Sequence, residues 1–235
     1  MAIKNSKGFT LVEMLVVIAI ISVLAAALFP AIQNALGTAQ ATALKNKGRG
    51  IWVAINSANL EREPLNLGTL WPKDLTDDDD ITFEESAVGY FKYLLSDGGD
   101  EAAVPDDQEV ADLTCSSLIA SGVPPATKGS SLADKNIAWA VCKIGNSDAS
   151  EYPFLISKNV GSAITEFKGG VNKGSPNKID ISSTTITKPF GKTRAVWVTR
   201  GGGCFDARAK YLSEYQILGE CDSLAESIEV WTCSE

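Results

Sequence analysis

Residues Phe9 to Ala31 read FTLVEMLVVIAIISVLAAALFPA, a run of 23 in which Thr10, Glu13 and Ser22 are the only polar side chains. Wound as a helix rising about 1.5 Å per residue, the run covers roughly 35 Å, enough to cross the hydrocarbon core of a bilayer. Ahead of it stand residues 1–8, MAIKNSKG, whose only charges are Lys4 and Lys7. By the positive-inside rule these lysines stay cytoplasmic and the bulk of the chain lies on the other side.

Three readings compete for this segment: a cleaved secretory signal, a plain membrane anchor, and a signal cut on its cytoplasmic side. Ala25-Ala26-Ala27 offers the small-x-small site that a secretory cleavage needs, with a mature start at Leu28. Glu13 argues against the first two, because a carboxylate five residues into an apolar run costs a few kcal/mol on insertion. Lys7-Gly8-Phe9-Thr10-Leu11-Val12-Glu13 resembles the leader junction of type IV prepilins and type II secretion pseudopilins. In that family a membrane aspartic peptidase cuts after the glycine and N-methylates the new first residue. The resemblance, which covers residues 4 to 35, implies cleavage between Gly8 and Phe9, methylation of Phe9, and Glu13 as the fifth residue of the mature chain. Pro30 matches a helix-interior proline common in the family.

Physical reasoning stands beside the resemblance. Cleavage at Gly8 would create an α-ammonium on Phe9 close to apolar surroundings, with Glu13 as the only nearby acid. Opposite charges attract strongly in low dielectric, and removing one partner costs several kcal/mol. A plainer role is open to Glu13, complementing the positive end of its own helix for about 0.3 to 1 kcal/mol; the resemblance implies mainly intersubunit pairing. Pro30 has no N–H to give the Ala26 carbonyl, so a bend or loosening is expected there, or simply the end of the span.

Beyond Pro30 the pattern turns amphipathic, with Ile32, Leu36, Ala39, Ala43 or Leu44, Ile51, Ile55 and Ala58 at three- and four-residue steps. Gly37, Gly48 and Gly50 each weaken a helix by about 1 kcal/mol relative to alanine, and Pro64 supplies a stop. The expectation is one helix from Phe9 to about Leu60, its second half buried. Trp71-Pro72 and the acidic run Asp77 to Asp80 read as loop, Ser86 to Leu95 as a short helix ended by Gly98-Gly99, and residues 100–129 as mostly loop with at most a short helix near Cys115 to Ala120. Strands are expected at Ile137 to Ile144, Tyr152 to Ser157, Ala195 to Thr199 and Ile228 to Cys233. The fold class expected is therefore α+β, a long N-terminal helix packed on an antiparallel sheet, a pilin-like arrangement. Its parts are a leader (1–8), an apolar half-helix (9–31), an amphipathic half-helix (32–60) and a head (61–235). Tyr90-Phe91-Lys92-Tyr93-Leu94, the Trp139 strand, Tyr152-Pro153-Phe154-Leu155 and Val196 to Gly202 are similar to heads of pseudopilin-like proteins found as large paralogous sets in some Gram-negative lineages.

Composition narrows the chemistry. The 235 residues carry a formal net charge of −8, which repels phosphate backbones, and no nucleic-acid partner is expected. No histidine occurs, which removes Ser-His-Asp and Cys-His nucleophile systems and HExxH zinc sites together. Gly191-Lys192-Thr193 looks like a P-loop tail, but the first glycine of that motif would fall at Ile186. Gly201-Gly202-Gly203 reads as a tight turn, and no G-x-S-x-G is present. Asp77, Asp78, Asp79 and Asp80 are a weak calcium candidate that lacks the EF-hand glycine and terminal glutamate; a solvated charge run accounts for them better. The reading expects no catalytic residues, no cofactor and no metal.

The five cysteines, Cys115, Cys142, Cys204, Cys221 and Cys233, contain no CxxC pair and follow an apolar N-terminal segment, which points to an oxidising compartment. Spacing cannot fix their pairing. The family resemblance implies a C-terminal disulfide-bounded loop, here Cys221 with Cys233. It also implies a filament subunit, held in the inner membrane by one pass with its head outside the cytoplasm, later part of a periplasmic pseudopilus or surface pilus. The implied partners are sibling subunits, the prepilin peptidase and an inner-membrane assembly platform. The alternative is a membrane-anchored or exported enzyme or binding protein with an ordinary anchor or signal.

Overall fold

The apolar run and the amphipathic segment after it form one helix, α1 (Leu11–Arg62), in a computed structural model that describes residues 9–78, 81, 83–95, 110, 113–127, 131–186, 188–221, 224 and 226–232. The helical assignment continues through Pro30. It stops two residues before Pro64, where a 3₁₀ turn (Glu63–Leu65) ends at Asn66 in the left-handed region, φ 56°. The chain divides into two compact units, residues up to Ala39 and residues from Gln40 onward.

In the first unit α1 stands alone, and its side chains are exposed on every side. The second unit begins with the part of α1 that buries a face: Ala41, Leu44, Gly48, Ile51 and Ile55. The buried face therefore starts about nine residues later than the periodicity from Ile32 implies, and Ile32 and Leu36 are each 52% exposed. A helical period shows which residues share a face, not whether the rest of the chain covers it.

The head sheet has six strands, β1 (Trp139–Cys142), β2 (Pro153–Ser157), β3 (Glu166–Phe167), β4 (Arg194–Thr199), β5 (Cys204–Arg208) and β6 (Ile228–Trp231). They run in the order β3-β6-β1-β2-β4-β5, every neighbouring pair antiparallel. Three of them (β1, β2 and β6) lie inside the segments expected from alternation and β-branched or aromatic content, and β4 begins one residue before its expected segment. The short β3 and the edge strand β5 were not expected; β5 is only partly buried and carries Asp206 and Arg208, so its pattern does not look like a core strand. The three glycines make the expected turn: Gly202, at φ 79°, donates to the Thr199 carbonyl, and Thr199 N–H donates to Gly203, joining β4 to β5.

Both faces of β1 are buried. On one face Trp139 and Val198 meet α1 at Gly48, where a Cβ would fall 2.6 Å from Val198 Cγ2 and 2.8 Å from the Trp139 ring. On the other, Ala140 packs under Gly161 of the short helix α4 (Lys158–Gly161), again closer than any Cβ allows. The sheet is thus the middle layer of three, with α1 covering one face only.

Short helices complete the head. In α2 (Pro72–Thr76), Pro72 stands in the first turn, the position that tolerates its missing N–H, so the expected Trp71-Pro72 loop is a helix start. In α3 (Ala87–Leu94), the Ser86 side chain caps the Gly89 N–H at 3.0 Å. In α5 (Glu214–Leu218), Ser213 accepts from Gln216 in the same way. Tyr90 of α3 packs with Phe91, Phe154 and Trp231, and its buried hydroxyl donates to the Leu70 carbonyl at 2.9 Å.

Candidate functional site

The first turn of α1 is built by two side chains. Thr10 precedes the first helical residue, and its hydroxyl accepts from the Glu13 N–H at 3.2 Å. Glu13 reaches back so that its Oε2 accepts from both the Thr10 N–H and the Thr10 hydroxyl, each at 2.8 Å. This reciprocal pair is a capping box, and it satisfies backbone donors that no helical carbonyl can reach. Its sequence sign, a threonine followed three residues later by glutamate and an apolar run, stands in plain view at Thr10-Leu11-Val12-Glu13. The reading of Glu13 through charge alone missed it, and with it the role of Thr10.

Ser22, the third polar side chain of the run, donates to the Ile18 carbonyl at 2.7 Å, one turn back. Each polar side chain of residues 9–31 therefore makes a hydrogen bond within the helix, and apart from these three the outward surface is apolar. Phe9 is 73% exposed and Leu11 80%. This helix is long and apolar enough to cross a membrane, and none of its most apolar stretch is buried within the chain. A helix apolar all round is stable only where lipid or other protein surrounds it.

In the head, α1 is fastened by its basic residues. Lys45 meets Asp206 of β5 at 2.6 Å, and Arg194 of β4 meets the other oxygen of the same carboxylate at 2.6 Å. Burial pushes the Asp206 carboxyl up, but the two cations outweigh it and hold the group below the ordinary aspartate range. Lys47 donates to the carbonyls of Ser116 and Ile119, Arg49 to that of Gly202 and the Trp52 indole to that of Arg200.

Among the described residues, the P-loop-like tail and the start of the acidic run serve local turns. Gly191-Lys192-Thr193 forms the turn into β4, with Phe190 and Gly191 at positive φ and the Thr193 hydroxyl donating to the Phe190 carbonyl. Asp77 closes α2, its N–H bonded to the Lys73 carbonyl, and the Asp78 carbonyl accepts from Ile81; Asp79 and Asp80 lie outside the described residues. Among the described residues no group of three acids or cysteines gathers where a metal could sit. A cleft of about 370 Å³ beside α5 is lined by Glu151, Trp197, Thr199, Phe205 and Gln216, and the Thr199 hydroxyl there already accepts from the Gly203 N–H. No disulfide joins any two of Cys115, Cys142, Cys204 and Cys221. Cys233, the partner expected for Cys221, lies outside the described residues, as do Gly8 and the leader. Cys142 is fully buried in β1, and burial drives its thiol far above the usual range.

A capped, outwardly apolar helix leading into an α+β head with an antiparallel sheet is a pilin-like organisation. Comparison agrees: residues 3–29 match the family described as the prokaryotic N-terminal methylation motif. The chain is also similar to two fimbrial proteins of Pseudomonas aeruginosa, 34% and 33% identical over 106 residues, which is 45% of this chain and 64% of each relative. The chain thus spans just under two thirds of the length of these relatives. No solved structure matches it.

Proposed function

We propose that the chain is a structural subunit, a pilin or pseudopilin, of a type IV pilus-like or type II secretion filament, and that its role is not catalytic. The observation that carries this reading is the outward surface of residues 9–31, apolar but for Thr10, Glu13 and Ser22, whose side chains bond within their own helix. Such a surface suits lipid before assembly and neighbouring stems afterwards. The methylation motif over residues 3–29 supports the same processing: a prepilin peptidase cuts between Gly8 and Phe9 and methylates Phe9. The precursor lies in the inner membrane with Lys4 and Lys7 inside and the head outside, and an assembly platform extracts it into a filament of sibling subunits.

In the filament the Phe9 ammonium pairs with Glu13 of an adjoining subunit. The capping bonds both land on Oε2, which leaves Oε1 to accept from the ammonium without undoing the helix cap. In the oxidising space outside the membrane, Cys221 closes a C-terminal loop with Cys233.

Mass spectrometry of the mature N-terminus tests the processing. A methylated Phe9 is expected, and a Gly8→Asp precursor should stay uncut, because a branched side chain blocks the peptidase cleft that glycine enters; a start at Leu28 would overturn the reading. Glu13→Ala should be processed and inserted normally, since the stem becomes more apolar, yet give far fewer filaments. Normal filament yield from a strain carrying only that variant would remove the pairing mechanism.

A further inference from the structure

The charges of this chain are segregated. Sixteen of the 29 acids fall between Glu61 and Asp112, where only three cations stand, while residues 168–210 hold nine of the 21 cations and two acids. Within the head, described members of the two groups mark opposite ends: Lys188, Lys192, Arg208 and Lys210 stand at one, and Glu61, Glu63, Asp77 and Glu84 at the other, where Arg200 of the cationic stretch also lies. Asp206 is tied to Lys45, and a groove brings Pro189 and Phe190 to Gln40, Ala43, Leu44 and Lys47, so the turn before β4 and the β4–β5 pair start beside the first residues of α1 in this unit. Register places Arg194 opposite Arg208 at that same end. Exposed there are Lys188, Lys192, Arg208 and Lys210, and the one acid of β4 and β5, Asp206, is already taken by Lys45 and Arg194.

The other end is acidic. Arg62, in the last turn of α1, donates to the Gly68 carbonyl, and Lys73 and Asp74 bond to the loop after β1 at Ile144 and Asn146. Glu61, Glu63, Asp77 and Glu84 are exposed in this region. Two of its cations are spent locally, Lys73 on Glu226 and Lys143 on Glu85, while Arg200 is turned onto the carbonyls of Gly145 and Asn146. From Lys45 to Arg62 the helix rises about 25 Å, roughly three Debye lengths at physiological salt. Within one head the two ends therefore do not neutralise each other.

We propose that the basic end of one head docks on the acidic end of another copy of this chain. The proposal rests on the filament reading above and adds which surfaces of the head meet. A head-to-tail contact between unlike ends is heterologous, the kind of contact that propagates into a filament wherever its rotation does not close a ring. Contact brings charges now about 25 Å apart to ion-pair distance across the interface, where complementarity steers association and suppresses wrong registers. Anionic lipid would match the basic end but leave the acidic one unmatched; a second copy of this chain satisfies both.

The test uses full-length chain in detergent micelles, with self-association followed by light scattering at 0.05 M and 0.5 M salt (about these values). One variant reverses the basic end (Lys192→Glu, Arg208→Glu, Lys210→Glu), the other the acidic end (Glu61→Lys, Glu63→Lys, Asp77→Lys). Wild type should associate about tenfold more strongly at the lower salt. Each variant alone should lose that salt-sensitive part, and an equimolar mixture should regain it, since the acidic end of the first then meets the basic end of the second. Near-ultraviolet circular dichroism identical to wild type establishes that both heads are folded. If the mixture associates no better than its components, or wild type shows no salt dependence, the proposal falls. It falls likewise if reversing the basic end only weakens binding to phosphatidylglycerol vesicles and leaves self-association intact, which would assign that end to lipid. The mature N-terminal mass and filament yield are read separately, so a filament-forming chain with salt-insensitive heads would sink this proposal and leave the filament reading standing.

Discussion

The two stretches of α1 on either side of residue 40 have the same backbone and opposite surfaces. Up to Ala39 no described residue is buried, and the polar side chains of residues 9–31 are bonded within their own helix. From Gln40 onward the same helix is one-sided: Leu44, Gly48, Ile51 and Ile55 are buried in the head, while Lys45, Lys47, Arg49 and Trp52 fasten its flanks to Asp206 and to head carbonyls. Backbone hydrogen bonds alone do not hold either stretch in place. The head half is held by packing inside its own unit; the stem half needs apolar surroundings that the unit does not provide. Substitutions of one kind should therefore have opposite results in the two halves.

Glycine makes the largest contrast. At Gly48 a methyl group would fall 2.6 Å from Val198 and 2.8 Å from the Trp139 ring, whereas at Gly37 nothing lies within 4 Å. Gly48→Val should cost about 3 kcal/mol or more, because over-packing against two buried side chains adds to the poorer helix propensity of a branched residue. Gly37→Ala should stabilise its helix by up to about 1 kcal/mol. Urea denaturation of full-length chain in micelles, followed by tryptophan fluorescence, reports the first. Stem amide exchange reports the second. Equal and small effects at the two positions would erase the distinction between the halves.

A smaller effect is expected at Asp206, the charged counterpart of that packing. Its carboxyl is held below the unfolded value in spite of burial, through Lys45 and Arg194. Its stabilisation is therefore fully present above the unfolded pKa of about 4 and is lost as pH falls through the lower folded value. Asp206→Asn should cost about 1.5 to 3 kcal/mol at neutral pH, the range for hydrogen bonds to charged groups, and should flatten the acid limb of the stability profile below about pH 4. An acid limb as steep in Asp206→Asn as in wild type would show that other carboxylates govern it.

These contrasts also mark what the sequence made legible. The stem was plain because a run of 23 residues with three polar members has few other readings, and four strands were plain because alternation survives where a strand is flanked by turn residues. The edge strand β5 was hidden because Asp206 and Arg208 are polar for local reasons, one as partner to α1 and the other at a solvated end. Gly48 looked like a defect in a helix, and only its distance to Trp139 and Val198 shows it as a point of close approach. At the candidate site, charge drew attention to Glu13, yet the cap needs Thr10 as well, and a hydrogen-bonding partner three residues away leaves no trace in a charge count.

The smallest effect, and the sharpest test of the stem's independence, is expected at Thr10. Thr10→Ala removes the hydroxyl that accepts from the Glu13 N–H and donates to Glu13 Oε2, leaving only the Thr10 backbone donor of the three bonds. Loss of such a cap costs about 1 kcal/mol, and because helix ends open locally the loss should be confined to the first turn. Amide exchange of residues 12 to 14 should quicken roughly fivefold, as about 1 kcal/mol implies, while the urea midpoint of the head stays at its wild-type value. Thr10→Ser keeps the hydroxyl and should restore slow exchange, which separates the hydrogen bonds from the lost methyl group. If Thr10→Ala shifted the head midpoint as well, the two halves of α1 would unfold as one unit, and the distinction between an internally satisfied stem and a packed head would have to be abandoned.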